Sequence, residues 1–284
     1  MRKRIAIFTG CYIPAKLPYL EKISIEILNQ LDINPRYLEF SCCPNLHVKS
    51  LDIESWLSIA ARNLSIAEKN DVDIIALCPG CSGTLKETAY ILKDNGMRER
   101  ANMRLREIGM EYKGNICVEH IIPFLYKNME KLKEMITFPL NLRVAIHDGC
   151  HIQRPSNLND YRGDYMNKLI ELTGCEVVDY DDRDLCCGAA MSAINQDIST
   201  EIAEYKLKKL NDNGIDILCT PCPICFLQYD LVRRKIDTDI SVFYYPELLA
   251  LAIGIPPKTK GMEYSKRIMN LFENKNKNVH TEDR

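Results

Sequence analysis

The 284 residues suffice for two compact domains, and the 37 basic and 39 acidic side chains leave a formal net charge of -2. Such a balance gives no global field that would attract nucleic acid or an anionic membrane, and no apolar run reaches the ~20 residues of a membrane-spanning helix. Thirteen cysteines without a secretion signal predict a protein of the cytoplasm, where thiols stay reduced or bind metal.

Strands and helices alternate along the first half of the sequence. The run Arg4–Phe8 leads to Gly10-Cys11 and predicts a buried strand that ends in a turn. The further elements predicted for this half are a helix at 18–31, a short strand at 37–40, a helix at 53–69, a strand at 73–77, a surface helix within 95–113, a strand at 116–118 and a helix at 123–125. Trp56 lies on the apolar face of the helix at 53–69, so we expect it in the core.

The second half repeats this alternation. Its predicted elements are a strand at 144–146, a helix at 197–210, strands at 216–218 and 240–242, and a short helix at 246–249. The helix at 197–210 is expected to bury its apolar side chains and to expose its lysines. The first group is Ile198, Ile202, Tyr205 and Leu210, and the second is Lys206, Lys208 and Lys209. The alternation predicts a parallel or mixed sheet flanked by helices.

Ten of the thirteen cysteines form one five-cysteine pattern that occurs twice. The two sets are Cys11, Cys42, Cys43, Cys78 and Cys81, and Cys150, Cys186, Cys187, Cys222 and Cys225. In each set 34 residues separate the adjacent pair from a Cys-Pro-x-Cys turn, which indicates an internal duplication. We predict an α/β protein of two duplicated cysteine-rich domains, residues 1–137 and 138–257, each a small mostly parallel sheet flanked by helices. A C-terminal helical segment and a disordered tail are expected at 258–284.

Each set can serve one metal site only if its adjacent cysteines lie on a turn, because neighbours on an extended strand point to opposite faces. Pro44 and Gly188 follow the two pairs and suit such turns. Each Cys-Pro-x-Cys segment follows a predicted strand and can hold a metal from two thiolates. Three strand ends can therefore converge on one site in each half.

The number of cysteines in a set discriminates between kinds of site. An all-disulfide framework is disfavoured by the odd total of thirteen and by the adjacent pairs, whose mutual disulfide would need a strained ring. Structural zinc and an ordinary cubane cluster each use four cysteines, which leaves the fifth without a role in both halves. Five thiolates favour a larger or less regular iron–sulfur core.

Several motifs surround these cysteines. They are Ser41-Cys42-Cys43-Pro44, Ala60-Ala61-Arg62-Asn63-Leu64, Cys78-Pro79-Gly80-Cys81, Gly149-Cys150-His151, Cys186-Cys187-Gly188-Ala189 and Cys222-Pro223-Ile224-Cys225. With them the chain resembles, from Ile5 to Gly254, the cysteine-rich CCG-domain family and, within it, the B subunits of heterodisulfide reductase. The resemblance implies that each set of five cysteines binds one noncubane 4Fe-4S cluster. It also implies that the two clusters reduce the disulfide of coenzyme M and coenzyme B to two thiols.

The sequence lacks the fingerprints of other redox cofactors. No Gly-x-Gly-x-x-Gly follows a predicted strand, and no ferredoxin run of cysteines occurs. We therefore expect no flavin or nicotinamide on this chain and an electron supply from other proteins. By the resemblance, these are a small ferredoxin-like iron–sulfur subunit and a flavoprotein subunit of the same complex. Neither nucleic acid nor a membrane is an expected partner.

Four residues near the two sets carry less specific signals. His151 follows Cys150 and could donate a proton to a departing thiolate or bind a cluster sulfur; a histidine that only orders its own turn is the alternative. Cys117, Cys175 and Cys219 have no counterparts in the other half and are expected to be small buried hydrophobes.

Two alternatives to this function stay open. His47 and Met191 follow the two cysteine pairs where the resemblance would place smaller residues. They favour a related subunit that acts on another thiol/disulfide couple, as in thiol:fumarate reductase. The third interpretation is a non-catalytic electron-transfer subunit, although the doubled complete ligand set argues against it.

Overall fold

The computed structural model describes residues 4–137, 139–152, 156–158 and 164–255. The segment predicted at 258–284 lies outside the described residues. Contacts along the chain define two compact units. Unit 1 comprises the residues up to Glu134 with Asp148–Leu169 and Pro221–Pro223, and unit 2 comprises Met135–His147, Ile170–Thr220 and the residues from Ile224 onward. The domain boundary at residue 137 stays a prediction.

Unit 1 contains a three-stranded parallel sheet in the order β1-β2-β3. Its strands are β1 (Arg4–Phe8), β2 (Val72–Ala76) and β3 (Val118–His120). The helices of this part of the chain are α1 (Tyr12–Lys16), α2 (Pro18–Gln30), α3 (Leu46–Leu51), α4 (Ile53–Lys69), α5 (Pro79–Ile91), α6 (Asn95–Arg106), α7 (Ile121–Lys127) and α8 (Met129–Met135).

Helix α4 shows how the sequence builds this core. Asp52 caps its first turn by accepting hydrogen bonds from the backbone N–H groups of Glu54 and Ser55, the usual role of an aspartate at that position. Trp56 is fully buried in the hydrophobic core, which confirms the prediction. Truncation of such a side chain typically costs about 3–5 kcal/mol, so Trp56 fixes α4 firmly in unit 1.

The second sheet has four parallel strands in the order β5-β4-β6-β7. The strands are β4 (Arg143–Ile146), β5 (Glu176–Val177), β6 (Ile217–Thr220) and β7 (Ser241–Tyr244). The helices after β4 are α9 (Tyr165–Leu172), α10 (Gln196–Asp212), α11 (Pro223–Arg233) and α12 (Tyr245–Ala252), with short 3-10 turns at Ser156–Leu158 and Ala189–Met191. Two parallel sheets flanked by helices confirm the predicted fold class.

The strand predicted at 37–40 is wrong. Only Arg36 pairs with β1, through the backbone of Ile5 and Ile7. The next residues take no part in the sheet; the N–H of Ser41 donates instead to the side chain of Asn63 on α4. The cysteine pair therefore follows an irregular segment held by a helix.

The orientation predicted for the helix at 197–210 is also wrong in part. Helix α10 buries Ser199, Ala203, Lys206, Leu207 and Leu210. In contrast, Ile198 is 43% exposed and Tyr205 is 55% exposed. The buried stripe is thus rotated relative to the expected one and includes a lysine, because the Lys206 ammonium finds hydrogen-bond acceptors inside unit 2.

Smaller predictions near the sheets have mixed outcomes. The surface helix within 95–113 is confirmed but ends at Arg106. Cys175 and Cys219 are buried as expected, whereas Cys117 is exposed and the prediction for it is wrong. Its backbone N–H donates to Asp73 just before β3, which leaves the thiol at the surface. Across the described residues, no helix combines the length and apolarity that crossing a membrane requires.

Candidate functional site

The structure brings the whole first set of cysteines together in unit 1. The sulfurs of Cys43 and Cys81 are 2.9 Å apart. Hydrogen bonds between side chains also link Cys42 with Cys43, Cys11 with Cys42, and Cys78 with Cys81. The five thiols therefore form one continuous chain of contacts, as convergence on a single metal site requires.

Three of these thiols lie just beyond two neighbouring strands. Cys11 follows β1 and precedes α1, while Cys78 is the N-cap of α5 immediately beyond β2. Cys81 lies in the first turn of α5. Because β1 and β2 are parallel neighbours, their carboxyl ends meet at one edge of the sheet, which is where open α/β sheets commonly bind ligands.

Gly10 lets the backbone approach this group of sulfurs. Its φ is +69°, and a Cβ there would lie 2.8 Å from the Cys81 sulfur. Any other residue would be strained by the left-handed backbone and would also crowd the sulfur. Glycine before Cys11 is thus required by the geometry of the site itself.

The first set has a buried side and an open side. Cys43, Cys78 and Cys81 are buried, whereas Cys11 and Cys42 are exposed. Three ligands can therefore anchor a metal centre inside unit 1 while two border the surface, where a substrate can approach.

Hydrogen bonds between the sulfurs separate the thiols into donors and acceptors. The bond from Cys42 holds the pKa of Cys43 below its ordinary value, and bonds from Cys222 and then Cys81 do the same for the pKa of Cys78. The pKa of Cys42 and that of Cys81 are raised, in both cases chiefly by the bond to Cys43. Thiolates are the forms that bind metal, so the set is prepared for a cationic centre.

Residues of α4 and α5 hold the loop that carries the first cysteine pair. The Asn63 Oδ1 accepts hydrogen bonds from the backbone N–H and the hydroxyl of Ser41, at 2.8 and 3.2 Å. On the other side of the pair, the Pro44 carbonyl accepts from Trp56 Nε1 at 3.0 Å and from the Thr84 hydroxyl at 3.3 Å. The loop is fixed immediately before and immediately after its two thiols.

In unit 2 the structure brings three cysteines of the second set together. Side-chain hydrogen bonds link Cys187 to Cys186 and to Cys225, and these bonds lower the pKa of Cys187. His147 joins the group: one ring nitrogen and the sulfurs of Cys187 and Cys225 all lie within 4.8 Å of one another. This is a buried group of potential metal ligands, and the cysteine pattern did not predict its histidine.

The other members of the second set lie in segments that group with unit 1. Cys150 is exposed in the turn after β4, and the neighbouring His151 is half-buried. Cys222 is buried in the Pro221–Pro223 segment and shares a hydrogen bond with Cys78. Unit 2 by itself therefore contributes Cys186, Cys187 and Cys225.

Lys206 lies fully buried next to this group. Its Nζ is 3.1 Å from His147 Nδ1 and donates to the carbonyls of Arg183 and Leu185, at 3.1 and 2.9 Å. It also lies 5.5 Å from the ring centroid of Tyr180, within cation–π range. Burial lowers the pKa of Lys206 to about 8. Lysines are rarely fully buried, which is why the charge run on α10 gave no sign of this contact.

Comparison with known families matches two stretches of the chain, residues 5–86 and 144–230, to the cysteine-rich domain called CCG. The B subunit of the ferredoxin:CoB-CoM heterodisulfide reductase of Methanosarcina mazei is 40% identical over 277 residues, which cover 92% of both chains. The 8-methylmenaquinol:fumarate reductase membrane anchor subunit of Wolinella succinogenes is 28% identical over 93% of this chain and 97% of its own length.

Among solved structures, that of a hypothetical protein from Helicobacter pylori superimposes with a TM-score of 0.70. The superposition covers 95% of this chain and 51% of the other, at 15% sequence identity. At that identity the likeness concerns the fold alone.

Proposed function

Because the chain belongs to the cysteine-rich CCG-domain family, we propose that each five-cysteine set holds one noncubane 4Fe-4S cluster. We further propose that the protein reduces the disulfide of coenzyme M and coenzyme B to the two thiols. On this proposal the chain is a heterodisulfide reductase-type oxidoreductase that acts as one subunit of a larger complex. The observation that carries the proposal is the convergence of all five thiols of the first set in unit 1.

The donor set fits such a cluster better than it fits a smaller metal site. Closed tetrahedral zinc takes four ligands, and a cubane cluster likewise takes four cysteines. The first set offers five thiols linked in one chain of contacts, and Gly10 lets the backbone lie close to the Cys81 sulfur. In the second set, unit 2 by itself offers Cys186, Cys187 and Cys225.

Disulfide reduction consumes two electrons and two protons and yields two thiols. A bound iron–sulfur cluster supplies electrons and a Lewis-acidic iron that can receive a departing thiolate. The protein's own residues supply the rest. Cys11 and Cys42 border the open side of the first set, and His151, half-buried beside Cys150, is the candidate proton donor to a departing thiolate.

Electrons have to reach the clusters from other proteins. The relative from Methanosarcina mazei is part of a ferredoxin:CoB-CoM heterodisulfide reductase. We propose a small ferredoxin-like iron–sulfur subunit and a flavoprotein subunit as partners, with no flavin or nicotinamide bound by this chain. We also propose the cytoplasm as the location of the protein, because a chain with thirteen cysteines suits a compartment in which thiols stay reduced or bind metal.

In a second candidate function, the fold and the clusters are the same, but the protein acts on another thiol/disulfide couple. The Wolinella succinogenes relative is a subunit of a fumarate reductase, so chains of this kind occur in enzymes with other substrates. His47 is exposed on α3, and Met191 is half-buried in the 3-10 turn after the second cysteine pair. Both lie close enough in sequence to ligands to alter substrate choice.

The test uses the protein purified without oxygen and reduced chemically. After excess reductant is removed, the protein is incubated with the coenzyme M–coenzyme B heterodisulfide and the free thiols are titrated. We expect two thiols for each disulfide consumed, in step with oxidation of the clusters. The Cys219→Ala variant, which alters a buried cysteine outside both sets, should behave like the wild type. Intact clusters without thiol release would contradict the proposed substrate. Thiol release from a different disulfide, but not from this one, would support the second candidate function.

A further inference from the structure

Two buried polar residues occupy the same place in the two long helices that follow the cysteine pairs. Helices α4 and α10 each have 17 residues and begin directly after a capping side chain, Asp52 in one case and Asn195 in the other. Counted from the first helical residue, Asn63 and Lys206 are both the eleventh residue of their helix. Both side chains are fully buried. The structure therefore makes them counterparts, although their chemistry differs.

Asn63 and Lys206 each hold a cysteine-pair loop by a hydrogen bond. Asn63 binds the backbone N–H of Ser41, the residue before the first cysteine pair. Lys206 binds the carbonyl of Leu185, the residue before the second pair, at 2.9 Å. In each repeat, a buried side chain of the same helix thus fixes the loop that presents two adjacent thiols.

The two side chains differ in charge. The amide of Asn63 is neutral, whereas Lys206 brings an ammonium group into the interior of unit 2. The hydrogen-bonding groups around its Nζ are His147 Nδ1 and the carbonyls of Arg183 and Leu185, and none of them is a carboxylate. Cys225 and Cys187, and to a smaller extent Asp182 and Asp184, act on Lys206 through space. Asp182 is itself bound by Lys209 at 2.6 Å. A positive charge therefore lies beside the second thiol group, and the first has none at the matched position.

His147 connects this charge to a cysteine. His147 Nδ1 lies 3.1 Å from Nζ of Lys206, which can donate a hydrogen bond to it. His147 also shares a hydrogen bond with Cys187. At the matched place in the first repeat, three residues before the lone cysteine, stands Phe8, which is fully buried and offers no hydrogen bond.

We propose that Lys206 is a positioning residue that raises the reduction potential of the metal centre at the second cysteine set above that at the first. This inference rests on the proposed function. Reduction adds one electron to a centre, and a nearby fixed cation stabilises the more negative reduced form. Net charge and hydrogen bonds to sulfur are established determinants of cluster potential. Electrons delivered to the protein would therefore reduce the centre at the second set in preference to the centre at the first.

The test compares three substitutions in the anaerobically purified protein with its clusters. Lys206→Gln removes the charge and keeps a hydrogen-bonding side chain, while Lys206→Arg keeps the charge. Lys208→Gln removes one charge from the exposed face of the same helix, where Lys208 pairs with Glu204. Each protein is titrated potentiometrically with dithionite and redox mediators, and reduction is followed by visible absorption and electron paramagnetic resonance.

We expect Lys206→Gln to make the potential of one centre more negative by at least about 59 mV, a tenfold change in a one-electron equilibrium constant. Lys206→Arg should keep that potential close to the wild-type value, and Lys208→Gln should leave both potentials unchanged. A Lys206→Gln protein with full iron content and unaltered potentials would overturn the inference. An equal shift in Lys208→Gln would do the same, since it would reflect net charge alone.

A second measurement decides the matter if Lys206→Gln fails to fold. Cys43→Ala and Cys187→Ala each leave one complete cysteine set in a chain that retains Lys206. The centre that remains in Cys43→Ala should have the more positive potential, and the reverse order would overturn the inference. Iron content distinguishes the failure of this inference from the failure of the proposed function. Wild-type protein without iron would overturn both, whereas full iron content with the wrong order of potentials would overturn the inference alone.

Discussion

Three matched positions around the two cysteine sets carry different side chains. Three residues before the lone cysteine, Phe8 in the first repeat corresponds to His147 in the second. On the following long helix Asn63 corresponds to Lys206, and four residues after the last cysteine Leu85 corresponds to Tyr229. All six are buried. In unit 1 these positions are apolar or neutral, whereas in unit 2 Tyr229 and Lys206 lie 3.5 and 3.1 Å from the same nitrogen of His147.

The comparison separates what the two repeats share from what distinguishes them. Both keep the spacing between the cysteine pair and the Cys-Pro-x-Cys turn, a parallel sheet, and a helix side chain that holds the cysteine-pair loop. The repeats differ in the polarity of the three buried side chains compared above. A duplicated chain can in this way present two similar ligand sets in unlike electrostatic surroundings, which suits two sites that play unequal roles in electron transfer.

The largest expected effect comes from removing one buried ligand of either set. Cys43→Ala and Cys187→Ala should each lower the iron content to about half that of the wild type, since each set would hold one of the two clusters. Both variants should lose disulfide-reducing activity. Chemical iron analysis and visible absorption measure the effect. Full iron content in either variant would show that the substituted cysteine is not a ligand.

Cys219→Ala provides the matched control for these variants. Cys219 is fully buried on β6 and belongs to neither set, so its substitution should leave the iron content unchanged. Loss of iron from this variant, together with its retention in Cys187→Ala, would reverse the assignment of ligands.

The sequence predicted those elements whose signals are local. The apolar stripe beginning at Trp56 predicted α4 correctly, with the bounds Ile53–Lys69. The segment at 37–40 has the residues of a strand, but Ser41, which follows it, donates its backbone N–H to a distant side chain, Asn63. A partner 22 residues away leaves no periodic signal in the segment itself.

The environment of the second set was beyond prediction for a related reason. A lysine on a charged helix is normally exposed, and only the tertiary acceptors around Lys206 make its burial tolerable. His147 gave a weak signal, since it precedes Cys150 at the distance that separates Phe8 from Cys11. Comparison of the two repeats at helix positions, rather than at cysteines alone, would have paired Asn63 with Lys206.

His147→Phe makes unit 2 resemble unit 1 at one of the matched positions. The Lys206 ammonium would lose one of its acceptors inside the protein, and we expect the free energy of unfolding to fall by about 2–3 kcal/mol, as for hydrogen bonds to charged groups. Chemical denaturation measures the change. The double variant His147→Phe, Lys206→Met should recover part of the loss, because removing both partners leaves no buried charge unsatisfied. Additive losses would show that the contact contributes nothing.

Asn63→Ala tests the hydrogen bonds that fix the cysteine-pair loop in unit 1. Loss of the two hydrogen bonds to Ser41 should lower the free energy of unfolding by about 1–2 kcal/mol, in the range of buried neutral hydrogen bonds. The change should also accelerate alkylation of Cys42 in the cluster-free protein. Ser58→Ala, on the same helix and bonded only within it, is the control. Equal stability of the two variants would contradict the role assigned to Asn63.

The smallest effect concerns a titratable residue of unit 1 that has no part in the comparison of matched positions. His120 caps α7, accepts a hydrogen bond from the N–H of Ile122, and is buried, so that desolvation lowers its pKa to about 3. The unfolded chain binds the proton near pH 6.5, so stability is complete above that pH and is lost as the pH falls toward 3. The slope should be about 1.4 kcal/mol per pH unit.

Denaturation of the cluster-free protein at pH 7.5 and pH 5.5 should show a loss of about 1.4 kcal/mol in total, because only one pH unit of that interval lies below pH 6.5. In His120→Asn, which can still cap the helix, the pH dependence should be smaller by that amount. An unchanged pH dependence in the variant would assign the acid sensitivity to other groups.

The most direct measurement of the central claim is the iron and acid-labile sulfide content of the wild-type protein purified without oxygen. Two clusters at the two cysteine sets predict about eight irons and about eight sulfides per chain. About four irons or fewer, or zinc in place of iron, would contradict the claim that both sets hold iron–sulfur clusters.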